Sequence, residues 1–309
     1  MNIRFDGRVA IVTGAGTGLG RCHALGLAAR GAKLVINDLG ASTAGEGQSS
    51  DAAQSVVREI RDAGGEAIAH GADVSSEAQV ADMVAQTMAQ WGRIDILVNN
   101  AGILRDKSFG KMTMADFRKV VDVHLIGSAV CAHAVWPIMR DQKYGRIVMT
   151  ASGSGLYGNF GQANYGAAKA GVMGLMNVLH LEGARDNIRV NTLAPTAATR
   201  MTEDLLPEQA LDLLAPEKIT PGLLYLVSED APSRTILAAG AGCYAQTRVL
   251  ETEGVLLEDD TNTPEGVAAR FAEIAAPEGQ RELTDAFSQT RKYAIKAARA
   301  RGLNLSWSD

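Results

Sequence analysis

The run Arg8-Val-Ala-Ile-Val-Thr13 leads without a break into Gly14-Ala-Gly-Thr-Gly-Leu-Gly20, and a helical pattern begins near Arg21. A short apolar run of this kind is the pattern of a strand buried on both faces, as in a parallel sheet. Strand, glycine turn and helix in that order constrain the fold more tightly than any other feature of the chain. Glycines let the backbone approach a diphosphate closely, and the amino terminus of the helix offers free N–H groups and a favourable dipole to its charge. Gly14, Thr17, Gly18, Leu19 and Gly20 are therefore candidates to hold a dinucleotide. Their spacing is Gly-x-x-x-Gly-x-Gly, not the Gly-x-Gly-x-x-Gly of the commonest fingerprint.

The rest of the chain continues the alternation. Strands are predicted at 8–13, 33–37, 66–70, 94–98, 146–150 and 188–193, and helices at 19–30, 51–63, 76–91, 114–140 and 164–184. Such alternation demands a parallel sheet with right-handed crossovers, an α/β doubly wound sheet of Rossmann type. Residues 1–250 are expected to form this one domain, and 251–309 a helical extension. The second strand ends at Asp38, where such folds place the adenosine ribose; a carboxylate there accepts from both ribose hydroxyls and repels a 2′-phosphate. With no Arg or Lys at Thr17 or Asn37, NAD is expected over NADP. Asp38 could instead simply begin a turn. The flexible stretch Gly40–Ser50 reads as an inserted loop and is assigned no chemistry.

Tyr165 and Lys169 stand four residues apart on a predicted helix and so share a face. An ammonium beside a phenol favours the phenolate and lowers a pKa that is ordinarily about 10, which would make Tyr165 a general base near neutral pH. Ser152 would hold the substrate oxygen. The helix runs on through Ala170–Leu181 without a charged residue, so it must be covered on both sides, by the sheet and by a second subunit. A homodimer or homotetramer is expected.

In sequence, Thr13-Gly14-x-x-x-Gly18-x-Gly20, Asp73-Val74, Asn99-Asn100-Ala101-Gly102, Ser152, Tyr165-x-x-x-Lys169 and Pro195 resemble the short-chain dehydrogenase/reductase superfamily. The resemblance implies that Asp73 and Val74 border the adenine and that Asn100, Ala101 and Gly102 support the sheet beside the cofactor. It further implies that Lys169 also holds the nicotinamide ribose, and that Pro195, Ala197 and Thr199 contact the nicotinamide. Two positions depart from the superfamily pattern: Thr196 stands for a Gly, and His124 stands for the Asn that completes a proton relay. A His can hold a water or pass a proton there, or it can only pack against the helix.

The stretches Asn99–Asp106, Val121–Leu125, Tyr144–Thr150 and Gly155–Tyr165 are similar to the dehydrogenase unit of peroxisomal multifunctional enzyme type 2. That resemblance implies oxidation of a (3R)-3-hydroxyacyl-CoA with NAD. A hydroxysteroid or a steroid side-chain thioester is the nearest alternative substrate. Reduction of a 3-oxoacyl carrier protein is disfavoured by Asp38, and a non-catalytic dinucleotide sensor by the intact Ser152, Tyr165 and Lys169.

Composition bears on partners. With 46% hydrophobic and 21% charged residues and a net charge of -5, the chain has no basic surface for nucleic acid. No run of about 18 uninterrupted apolar residues is present, so no membrane partner is expected. Cys22, Cys131 and Cys243, and the scattered His23, His70, His133 and His180, offer no metal-ligand spacing, and no metal is expected. A reducing compartment, an amino terminus that runs straight into the first strand and a carboxyl terminus without Ser-Lys-Leu give a cytoplasmic expectation. Pro264–Leu305 reads as amphipathic helix that could lid the site, wrap a partner or merely pack. Its Arg291, Lys292, Lys296, Arg299 and Arg301 could meet CoA phosphates or form a solvated face.

Overall fold

Alternate side chains of a strand face opposite sides of its sheet, and in β1 (Val9–Thr13) both sides are apolar: Ala10 and Val12 enter one core, Ile11 the other. The same division runs through β2 (Lys33–Asn37), where Leu34 and Ile36 face one way and Val35 the other. These strands therefore read as unbroken apolar runs. The structure, a computed structural model, describes residues 2–198 and 211–305. It forms two compact units, Met1–Thr247 and Arg248–Asp309.

The first unit is built on a sheet completed by β3 (Ala67–His70), β4 (Ile96–Asn99), β5 (Gly145–Thr150), β6 (Ile188–Thr196), β7 (Ile236–Gly240) and β8 (Cys243–Thr247), in the order β3-β2-β1-β4-β5-β6-β7-β8. All neighbours pair in parallel except β7 and β8. On one face lie α1 (Gly18–Ala28) and α2 (Asp51–Asp62), which contribute Leu27 and Ile60 to the first core. The other face carries α3 (Glu77–Trp91), α4 (Met114–Val121), α5 (Gly127–Gln142) and, after the single short turn α6 (Gly153–Tyr157), the long α7 (Ala163–Gly183). Met83, Val120, Val135 and Met176 from these helices fill the second core. α8 (Thr220–Leu226) adds Leu223 and Leu224 to the first. Chain order reverses between β1 and β4, and in such sheets a crevice opens there, outside the carboxyl ends of the strands.

Three features depart from the predicted elements. The stretch 114–140 is not one α-helix, because Asp122–Ile126 forms a π turn between α4 and α5. An 18-residue window within Met114–Gln142 reaches a mean hydropathy of 1.3, and the stretch is long enough to cross a membrane by length and composition, but here Val120, Val135 and Met139 pack into the second core. β7 and β8 were not expected. They are joined by Ala241 and Gly242, both at positive φ (52° and 79°), which suits the two-residue turn whose twist matches a hairpin.

In the second unit, Pro264–Leu305 is not one continuous helix. It forms helices at Pro264–Ala269, Phe271–Ile274 and Ala286–Ala300, with Pro277 and Gly279 (φ +71°) in the gap between the last two. Lys292 is buried and donates to Glu251 and to the Thr252 carbonyl, while Lys296 donates to the carbonyls of Glu253 and Gly254. These two lysines of the expected basic face are spent on the strap that opens their own unit.

Candidate active site

Helix α7 begins immediately after Gln162, so Tyr165 stands in its first turn and Lys169 one turn further on. The helix packs Val172 and Met176 into the core and carries Lys169 with it to 3% exposure. There the ammonium donates to the carbonyl of Thr150, the last residue of β5, at 2.5 Å. Ser152 caps α6 by accepting from the Ser154 N–H at 3.2 Å, and its hydroxyl is near enough to the Tyr165 phenol to lower that group's pKa. The predicted trio is brought together.

Its electrostatics differ from the expectation. Burial pulls Lys169 down from 10.5 to about 7, and Nζ lies 5.5 Å from the centroid of the Tyr165 ring. The Tyr165 phenol is pushed up, not down: burial raises it most, the Ser152 hydroxyl lowers it, and the charge of Asp106 raises it again. Desolvation outweighs attraction here because the lysine is aimed at a backbone carbonyl and is itself starved of water.

His124 sits in the π turn, buried, with its ring edge-on to Tyr165 at 5.1 Å. Irregular turns of this type often mark functional sites. Nε2 lies 2.8 Å from the Ile103 carbonyl, to which it donates in the Nε2-protonated tautomer. Nδ1 has no partner among the described residues. Burial, and then the charge of Lys169, hold the imidazole well below its ordinary pKa, so His124 is neutral. Gly102 must be glycine: a Cβ there would fall 2.3 Å from the His124 ring.

These residues line a cleft of about 540 Å³. Gly14, Thr17, Gly18 and Leu19 of the glycine turn, which follows β1, also line it, as do Asn100, Ala101, Gly102, Pro195 and Ala197, while Asp38, Asp73 and Val74, which follow β2 and β3, stand farthest in strand order from Thr150 and Ser152. Gly20 does not line it but makes the turn possible, since a Cβ there would meet the Gly14 carbonyl oxygen at 2.1 Å. Each Asp38 oxygen accepts one backbone N–H at 2.7 Å, from Gly16 and from Gly40, so the carboxylate both makes a turn and is fixed in the cleft wall. Asn100 donates to the carbonyls of Thr13 and Gly14 and ties β4 to the glycine turn. Thr199 lies outside the described residues. The glycine turn, the helix end behind it and the fixed carboxylate fit a dinucleotide, with the glycines leaving the diphosphate side open. Among the described residues no cluster of His, Cys, Asp or Glu could hold a metal.

The inserted loop, assigned no chemistry from the sequence, is part of the site. Ala41, Ser42, Thr43 and Gly45 also line the cleft, and the loop folds back so that the Thr43 carbonyl accepts from Leu104 N–H and the Ala44 carbonyl from Arg105 Nε. Nothing in its glycine- and serine-rich composition signals that return.

The sequence profile of the short chain dehydrogenase family matches residues 8–210. Over 276 residues the chain is 49% identical to the peroxisomal hydratase-dehydrogenase-epimerase of Saccharomyces cerevisiae, covering 88% of this chain and 30% of that protein. It is similar, with a TM-score of 0.80 and 38% identity, to full-length peroxisomal multifunctional enzyme type 2 from Drosophila melanogaster, over 96% of this chain and 50% of that one. A 7α-hydroxysteroid dehydrogenase complexed with NADH and 7-oxo glycochenodeoxycholic acid matches with a TM-score of 0.70 and 31% identity, over 78% of this chain and 96% of that one. The chain thus spans half or less of the two multifunctional relatives.

The buried lysine leads to a stability prediction. Lys169 holds its proton up to about pH 10.5 when unfolded but only to about 7 when folded. The unfolded chain therefore binds more protons between those values, and the contribution of this residue to stability rises with pH across that window. Lys169→Met should remove the slope: its stability relative to the wild type, from urea denaturation, should be more favourable at pH 7 than at pH 10. A difference independent of pH would contradict the buried, depressed lysine.

Proposed function

The chain belongs to the short-chain dehydrogenase family, and on that premise we propose that it oxidises the hydroxyl of a (3R)-3-hydroxyacyl-CoA to a ketone with NAD. The observation that carries the reading is that Ser152, Tyr165 and Lys169 line the same cleft as the glycine turn and Asp38. Identity to the multifunctional relative, at 49%, supports the thioester over the alternatives. Asp38 supports NAD, since a fixed carboxylate repels a 2′-phosphate.

In this mechanism the nicotinamide, when bound, supplies the hydride acceptor and a positive charge. Ser152 orients the substrate oxygen and stabilises the carbonyl as it forms, and Tyr165 takes the hydroxyl proton. Lys169, anchored on Thr150, stabilises the phenolate and holds the cofactor ribose. His124 supports the Tyr165 ring, and its unpartnered Nδ1 is an acceptor through which a water could connect the site to solvent. A hydroxysteroid is the second reading, favoured by the likeness to the 7α-hydroxysteroid dehydrogenase.

A homodimer or homotetramer belongs to the same proposal. Val178 and Leu181 on α7 remain 52% and 49% exposed, an apolar face that a second subunit would cover. A stable monomer in light scattering would overturn it. The cytoplasmic assignment has the support of three free cysteines.

The substrate test follows reduced nicotinamide, NADH from NAD or NADPH from NADP, formed from the (3R) and (3S) forms of a 3-hydroxyacyl-CoA and from a 17β-hydroxysteroid. Turnover is expected with the (3R) thioester and NAD. Steroid oxidation without thioester activity would move the assignment to a hydroxysteroid dehydrogenase, and equal use of NADP would refute the role of Asp38.

A further inference from the structure

Gln162, the residue before α7, is buried and lines the cleft. Its side-chain amide is held on both sides. Nε2 donates to Asp106 Oδ2 at 2.6 Å, while Oε1 accepts from Ser154 Oγ at 2.6 Å and from Asn159 Nδ2 at 3.1 Å. An ionised carboxylate only accepts, so Asp106 dictates which end of the amide is nitrogen. The direction then propagates: Ser154 spends its one hydroxyl hydrogen on Gln162, and its backbone N–H is spent on Ser152 Oγ. Gln162 Nε2 carries two hydrogens and makes one bond among the described residues. The second hydrogen has no acceptor among the described residues, on a side chain that is buried and lines the cleft, and such a donor calls for one.

We infer that Gln162 is a specificity-determining residue that donates to a carbonyl oxygen of the substrate, with Asp106 as the positioning residue that keeps the donor facing the cleft. Resting on the thioester reading above, the carbonyl is the acyl one, two bonds from the carbon that loses hydride. The placement follows from the bonds already described. Ser154 bridges Gln162 to Ser152, so the spare N–H and the hydroxyl that holds the reacting oxygen are separated by a single residue of the network. A hydroxysteroid oxidised at a ring carbon with no neighbouring carbonyl offers this donor nothing. The network is thus a means of selecting β-hydroxy carbonyl compounds over other secondary alcohols.

The test pairs a (3R)-3-hydroxyacyl-CoA with the thioether analogue in which a methylene replaces the acyl carbonyl. Both are offered to the wild type, Gln162→Met and Asp106→Asn. Deleting the carbonyl and deleting the amide remove the same contact, so the two changes should not be additive. Gln162→Met should lower kcat/KM for the thioester about tenfold more than for the thioether. Asp106→Asn should lower the same ratio by a smaller factor, because a neutral amide can face Gln162 with either end and lets it turn. Both substrates are read on one preparation, so partial unfolding cancels from the ratio. Equal losses on both substrates are what a structural role gives and would overturn the inference. Failure of the wild type to oxidise the thioester at all would remove the functional reading and the subsite with it, a result visible before any variant is made.

Discussion

A lysine with no carboxylate partner among the described residues sits buried at the centre of the site, its ammonium on a backbone carbonyl. Such a group costs stability, and much of the surrounding architecture serves to keep it there. α7 is apolar around Lys169 and packs on the second core through Val172 and Met176. β5, buried along its whole length, brings the Thr150 carbonyl to the point where Nζ needs an acceptor. The π turn that carries His124 puts a neutral ring against Tyr165, where a charged one would add to the repulsion on the lysine.

The same burial acts on both ionisable groups of the site. A phenol and an amine that share a dry pocket each resist ionisation, and Asp106 adds to the resistance of Tyr165. The base is therefore poised rather than active. In the mechanism proposed above, the positive charge of an oxidised nicotinamide would favour the phenolate and so couple proton abstraction to the presence of the hydride acceptor. A freely ionised tyrosine would have no such coupling.

Much of this was legible in the sequence, for identifiable reasons. The central strands could be read because both of their faces are buried: Val9–Val12 and Leu34–Ile36 contain no polar residue. That Tyr165 and Lys169 share a helix one turn apart could be read because helical spacing is local. What could not be read is long-range. Ile236–Gly240 is weak as a strand by composition, and its place at β7 is set by pairing with β6. The return of the 40–50 loop to Leu104 and Arg105 depends on backbone bonds that leave no mark in residue type. The pKa of Tyr165 was misjudged for a related reason. Spacing shows that Lys169 is near, but not that its ammonium points at Thr150 or how dry the pocket is. The tail was misjudged because amphipathic periodicity was extended across Pro277 and Gly279.

Burial, with a smaller contribution from Asp106, keeps the Tyr165 phenol above its ordinary pKa, and in the proposed mechanism cofactor charge brings it down. The most direct measurement is the tyrosinate absorbance as a function of pH, taken as the difference between the wild type and Tyr165→Phe, without ligand and at saturating NAD. The account predicts that Tyr165 ionises above about 10 in the free protein and at distinctly lower pH in the NAD complex. Ionisation well below 10 without NAD would show that Lys169 by itself acidifies the phenol, and the account would be wrong.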